Sequence, residues 1–495
     1  MSSVIRLQPG TPDDDNRDYL PESLKHSDIV VNENGNNSQP YPAGLTEHRE
    51  VLVGGVEDTW FTFVPSNPRP GVAMPLVISL HGGLMTGWGQ AVYSSWTAVA
   101  EREGFVVVFP DAHERRMWAI DVAPEHVVRM TTPNPEGLYL PAPAASVDAN
   151  HDLQLVRALI ERMAHEHDID RERIFLHGMS AGNIMASQFA RHLGDVLAGV
   201  AGSGGPTDPA MLFDADGEII NTAGPLAVWE SRLDLDLAGT YYSDDIPSVV
   251  VANRDYWLRL NGVTEPPAIA VRGLDNFAFY RGAHADVVFR DVHNRDHGQT
   301  FDDAELVWDY LFSGVRRDPQ GAIVREEPLL PRTGDGFALA VAAGRDSAWV
   351  SGRRVRMSTS AFVWDAVQYH GRGGATLSRG SYVYAPIDLL AEVFAAALTT
   401  EDGGRVAELT LGDGRTLQFA RGAIGCVVDG RITAMLAEAV WRDGVLCLPV
   451  QWLAESILDL RASTHSGVLY VTDHHSRLSG NMARLLADLL GSSEH

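Results

Sequence analysis

The chain has 495 residues, 45% of them apolar and 21% charged, with 11 Trp, 13 Tyr and 16 Phe, a composition that excludes a disordered or collagen-like protein and suits two to three globular domains. Thirty-nine basic side chains stand against 65 acidic ones, a formal net charge of −26, so the surface repels nucleic acid and anionic lipid. No apolar run approaches the roughly 20 residues that cross a bilayer, and neither nucleic acid nor membrane is expected as a partner.

In chain order, residues 1–45 are rich in Asp, Asn, Pro and Ser, include the patch Asn32–Ser38, and read as a flexible lead-in. Met1–Asp15 lacks the basic start, apolar stretch and cleavage site of a signal peptide, so a cytoplasmic protein is expected, or a secreted one if a leader has been removed. From Arg49 short apolar runs alternate with amphipathic stretches: a strand over Pro75–Leu80, a helix over Trp96–Arg102 and a strand over Phe105–Phe109. In Asp152–His165 the residues Leu153, Leu155, Val156, Leu159, Ile160 and Met163 fall at helical spacing, and the strand Ile174–Leu176 follows. Strands alternating with helices predict an α/β fold, a mostly parallel sheet covered on both faces, over residues 46–316. The rhythm ends with a helix over Asp303–Phe312, and the Pro- and Gly-rich stretch 317–336 reads as a linker.

Residues 337–478 change character to short strands and Gly turns, a smaller α+β domain, with a helix or tail over 479–495. The stretch Tyr384–Glu392 recurs as Cys447–Glu455, 63 residues later, each copy a strand feeding a short helix. Similar strand–turn–strand elements, Val350–Val355 and Val428–Ile432, lie upstream of the copies. Cys426 and Cys447 are the only cysteines; two reduced core thiols are expected, with a single bridge as the alternative.

The sharpest motif is Gly178-Met179-Ser180-Ala181-Gly182, set between a strand and the helical stretch Asn183–His192 as a nucleophile elbow requires. A serine nucleophile needs an imidazole base and a carboxylate to orient it. His297 fits the base, in a polar loop before the last helix of the sheet domain, with His293 as fallback. The acid is expected after the strand Pro225–Trp229, at Asp234, with Asp236 second and Asp255 third. The oxyanion is expected on the backbone N–H groups of Gly82, Gly83 and Ala181, because the glycines of His81-Gly82-Gly83 follow the first buried strand. Trp88 and Trp118 are candidates to line the substrate site. Nothing in this chemistry calls for a cofactor, and Asp473-His474-His475 and His165-x-His167 read as solvated surface rather than metal ligands.

On these motifs, with Val106–Pro110, Trp118, Trp257 and Asn261-Gly262, residues 50–315 resemble the α/β-hydrolase esterase family of polyhydroxybutyrate depolymerases and feruloyl esterases. The resemblance implies that Ser180, Asp234 and His297 act as a triad on carboxylic esters, polyester, hydroxyalkanoate or aromatic. Glu230-Ser231-Arg232-Leu233-Asp234 stands where the family usually carries His-Gly-Thr-x-Asp. The tail, 335–475, resembles the copper amine oxidase N-terminal-like domain, which implies an interaction module suited to pairing copies of the chain. Two other functions fit the same residues: a serine peptidase or amidase, and a scaffold acting through the tail.

Overall fold

The computed structural model describes residues 20–26, 43–133, 137, 139–236, 242–368 and 377–491. Met1–Asp15 and Asn32–Ser38 of the expected lead-in lie outside them, while Glu22–Lys25 forms one helical turn. The residues fall into two units: Met1–Glu265 with Phe279–Arg290 and Arg295–Arg332, and Pro266–Ala278 with Asp291–Asn294 and Thr333–His495.

The first unit is built on a large, mostly parallel α/β sheet. Eight of its ten strands are β1 (Leu45–Glu50), β2 (Asp58–Phe63), β3 (Met74–Leu80), β4 (Val106–Pro110), β5 (Ile169–Met179), β6 (Gly199–Ser203), β7 (Ala227–Leu233) and β8 (Val287–Val292), which follow one another in the order β1-β2-β4-β3-β5-β6-β7-β8. Antiparallel pairing joins β1 to β2 and β2 to β4; from β4 through β3, β5 and β6 to β7 the pairs are parallel. Every residue of β4, β6, β7 and β8 is buried, as in strands covered on both faces.

The helices are α1 (Gly87–Tyr93), α2 (Trp96–Glu103), α3 (His151–Glu166), α4 (Ala181–Leu193), α5 (Ile246–Leu260) and α6 (Asp303–Tyr310). Helix α3 buries the six apolar residues picked out by periodicity and starts at Asn150, whose side chain accepts from Leu153 N at 3.1 Å. Helix α2 stops at Gly104, left-handed at φ 84°.

Parallel register decides where chemistry gathers. Leu80 pairs with Gly178, Met179 with Ser203 and Ser203 with Ser231. The turns leaving β3, β5, β6 and β7 therefore emerge along one edge, where open α/β sheets bind ligands. Strand β7 differs from expectation: it runs to Leu233 rather than ending at Trp229, because Glu230 and Arg232, polar but paired at 3.0 Å, stay buried within it. The expected linker is not featureless, since Val315–Arg317 and Ile323–Arg325 pair as an antiparallel ribbon.

In the second unit the repeat builds a pseudo-twofold axis. Tyr384 pairs with Pro449, Ala385 with Leu448 and Pro386 with Cys447, antiparallel. Because the copies are offset by 63 residues, Ala385 meets its own counterpart while the flanking pairs exchange roles. Each strand then turns into its helix, Ile387–Val393 and Val450–Trp452, and both copies bury apolar residues in one core with Leu339, Val341, Leu469 and Val471. The two upstream elements are hairpins with positive φ at both turn residues, Ser351-Gly352 and Asp429-Gly430, the turn that matches strand twist. Cys426 and Cys447 are buried free thiols, each pushed up to about 12 by desolvation. The C-terminal segment is helical over Gly480–Gly491.

Candidate active site

Ser180 sits at the β5–α4 junction at φ 55°, ψ −120°, a conformation that a side chain adopts only where its surroundings enforce it. They do so by steric exclusion. A Cβ on Gly178 would stand 2.1 Å from Gly182 O, and one on Gly182 2.5 Å from Leu80 O and His81 O. Ser180 N donates to Ser203 O at 2.8 Å, and a Cβ on Gly205 would meet Ser180 O at 2.0 Å. Gly204 and Gly205, left-handed at φ 64° and 42°, thus form a second wall of the elbow.

The segment after β3 is set by His81, fully buried. Its Nε2 accepts from Ala112 N at 3.0 Å, so Nδ1 carries the proton and donates to Gly82 O at 2.6 Å. Burial lowers this imidazole to about 4, which keeps it neutral and the tautomer fixed. With Gly82 O turned to His81, the trans peptide aims Gly83 N–H the opposite way. A Cβ on Gly83 would lie 3.8 Å from Ala181 Cβ, so the two segments expected to carry the oxyanion donors lie close together. Both glycines are hemmed by sulfur-bearing side chains: added Cβ atoms would stand 2.7 Å from Met179 Cε at Gly82 and 2.8 Å from Met117 Sδ at Gly83.

His297 and the serine meet directly, Nε2 to Oγ at 2.7 Å. The carboxylate set against its Nδ1 is Asp236, both oxygens at 3.0 Å, and not Asp234, the residue first expected. The longer β7 explains the difference. Asp234 follows the strand immediately, whereas a turn closed by Asp236 N donating to Leu233 O at 2.9 Å carries Asp236 toward the imidazole. Leu235 N donates to Arg295 O at 2.9 Å, tying this turn to the histidine loop. Asp255 lies on α5 beside Arg254. The hydrogen bond to Asp236 raises the His297 pKa above its usual value, against the opposing effect of desolvation.

Several supports carry no sequence signature of their own. Asn183 Nδ2 and Arg232 Nη1 both donate to Gly204 O, at 2.7 and 2.6 Å, and Ser203 Oγ donates to Gly298 O at 2.7 Å. Beneath the site, buried Asp303 accepts from Ser231 Oγ at 2.7 Å and Arg290 Nη1 at 2.9 Å, fixing the start of α6 behind the histidine loop. Trp118 is fully buried and donates through Nε1 to His81 O at 2.7 Å; it braces the oxyanion segment from behind. Trp88 is buried on α1.

No family model matches the chain. A bifunctional acetylxylan esterase/xylanase of Neocallimastix patriciarum is 28% identical over 144 residues, 29% of this chain and 17% of that protein; the match therefore spans well under two-thirds of the relative. Similar solved structures include an acetyl xylan esterase from Aspergillus awamori (TM-score 0.37, 12% identity, 54% of this chain and 98% of that one). A ferulic acid esterase from Anaeromyces mucronatus in complex with ferulic acid gives 0.33, 12%, 54% and 89%. For the poly(3-hydroxybutyrate) depolymerase LpqC of Bordetella parapertussis the values are 0.31, 16%, 44% and 77%.

Proposed function

We propose that the protein is a serine esterase in which Ser180, His297 and Asp236 form the catalytic triad. The observation that carries this reading is the unbroken path of hydrogen bonds, 2.7 Å from Ser180 Oγ to His297 Nε2 and 3.0 Å from Nδ1 to Asp236, at an elbow whose backbone its glycines hold in place. Ser180 Oγ attacks the ester carbonyl carbon as Nε2 takes its proton, and Asp236 stabilises the imidazolium. Gly83 N–H and Ala181 N–H hold the oxyanion, each worth some ~3 kcal/mol at comparable sites. The alcohol leaves with the proton from Nε2. Water, deprotonated by the same nitrogen, then releases the carboxylic acid and restores Ser180.

The curated relative supports a short acyl ester as substrate, since its name specifies acetylxylan. Trp118 serves in this reading as a brace rather than a wall of the site. The duplicated tail, with its copper amine oxidase N-terminal-like pattern, is read as a contact module that pairs subunits or holds large substrates. A fluorophosphonate probe should label the intact protein once, and Ser180→Ala should abolish labelling. A panel of acetyl, aromatic and hydroxyalkanoate esters against matched amides should show turnover confined to esters; faster cleavage of the amides would overturn the esterase assignment, and labelling that survives Ser180→Ala would remove the nucleophile.

A further inference from the structure

One of the other histidine–aspartate pairs of the first unit ends in another imidazole instead of a hydroxyl. Asp58 opens β2, His113 lies three residues beyond β4, and His151 is the first residue of α3. The fold assembles them from three separate segments. The β2–β4 register pairs Trp60 with Pro110, and Asp111 N donates to Thr59 O at 2.9 Å; extending that antiparallel pairing brings the chain at His113 beside Asp58. Asp152 then docks α3, accepting from His113 N at 3.0 Å and Ala119 N at 2.7 Å.

We propose that Asp58, His113 and His151 bind a divalent transition metal ion, zinc foremost. One ligand atom from each lies within 4.8 Å of the other two, and among the described residues these three form the one set of His, Cys, Asp or Glu that does so. The Asp58 carboxylate is already oriented as a ligand. Its Oδ2 accepts from Leu52 N at 3.2 Å and Val53 N at 3.1 Å, while Oδ1 accepts from His151 Nε2 at 2.6 Å, a hydrogen bond that a bound ion would replace, with release of the Nε2 proton to solvent. Secondary bonds such as those to Oδ2 are what fix ligands in metal sites. The His113 and His151 rings are stacked, centroids 4.0 Å apart and planes 27° from parallel. Asp58 is buried, His151 partly so and His113 exposed, so an ion would enter past His113 and keep a position for water. Two imidazole nitrogens with a single carboxylate suit zinc, cobalt or nickel, whereas calcium and magnesium call for mostly oxygen ligands.

The ion is separate from the ester chemistry, which draws its nucleophile and base from Ser180 and His297. It would clip the loop that carries Met117 and Trp118 to β2 and α3. The test uses full-length protein stripped with a chelator and dialysed, then titrated with zinc by calorimetry, with bound metal counted by mass spectrometry. The expected result is one ion per chain, a Tm raised by about 2 °C or more, and at least about tenfold weaker binding in His113→Ala, a change at an exposed side chain. Cobalt in place of zinc should give visible ligand-field bands that disappear in the same variant. His151→Ala should weaken binding likewise. Failure to bind an equivalent of zinc, or binding unchanged in both variants, would overturn the proposal.

Discussion

Two aspartate–histidine pairs in one sheet unit differ in exposure and in what lies beyond the imidazole. His297 is 40% exposed and reaches a serine hydroxyl, with Asp236 15% exposed behind it. His151 is 17% exposed, its Asp58 1%, and its other neighbour is the ring of His113. A hydroxyl at the far side gives the imidazole a proton to take; a second imidazole gives it a co-ligand. The same pair of residue types thus serves proton transfer at one place and, as proposed, ion binding at another.

The largest expected effect separates chemistry from fold at the first pair. Ser180→Ala should lower kcat for a short acyl ester by roughly 10⁴–10⁶ with no loss of Tm, because the elbow is held by glycine contacts rather than by the hydroxyl. Gly205→Ala should instead lose activity and stability together, since its methyl would stand 2.0 Å from Ser180 O. Steady-state kinetics beside thermal melts distinguish them, and a Ser180→Ala protein that keeps more than a few per cent of turnover contradicts the nucleophile.

The second effect is on pH. The base works only when neutral, and its bond to Asp236 raises the pKa. Hence kcat/KM should rise with pH through a midpoint above the ordinary ~6.5 of histidine. Asp236→Asn should move that midpoint down, and a flat profile from pH 5 to 9 would count against a histidine base.

A smaller effect probes the second pair. Asp58→Ala leaves Leu52 N and Val53 N without their acceptor, so urea unfolding should show a loss of about 1–3 kcal/mol in metal-free protein. An unchanged unfolding midpoint would mean those amides find water or another acceptor.

What was legible in the sequence tracks how local each feature is. The elbow, the His81–Gly83 segment and the placing of His297 before helix α6 rest on short spacing rules, and the structure brings Ser180 and His297 together. The carboxylate depended on where β7 ends, which a buried Glu230–Arg232 pair hides from a hydrophobicity pattern. Asp58, His113 and His151 stand 55 and 38 residues apart, so only the β2–β4 register and the docking of α3 make them neighbours. The tail showed its duplication at once through the 63-residue offset, but the antiparallel pairing of the copies about Ala385 and Leu448 is a property of the fold, not of either copy.

Which carboxylate completes the relay decides the mechanism. The direct measurement is kcat/KM on a short acyl ester for Asp236→Asn and Asp234→Asn side by side, with folding verified for both. The geometry predicts a fall of roughly 10³–10⁴ for Asp236→Asn, as when a triad acid loses its charge, and a change of no more than about threefold for Asp234→Asn. The reverse order, with Asp234→Asn inactive and Asp236→Asn near normal, would contradict it.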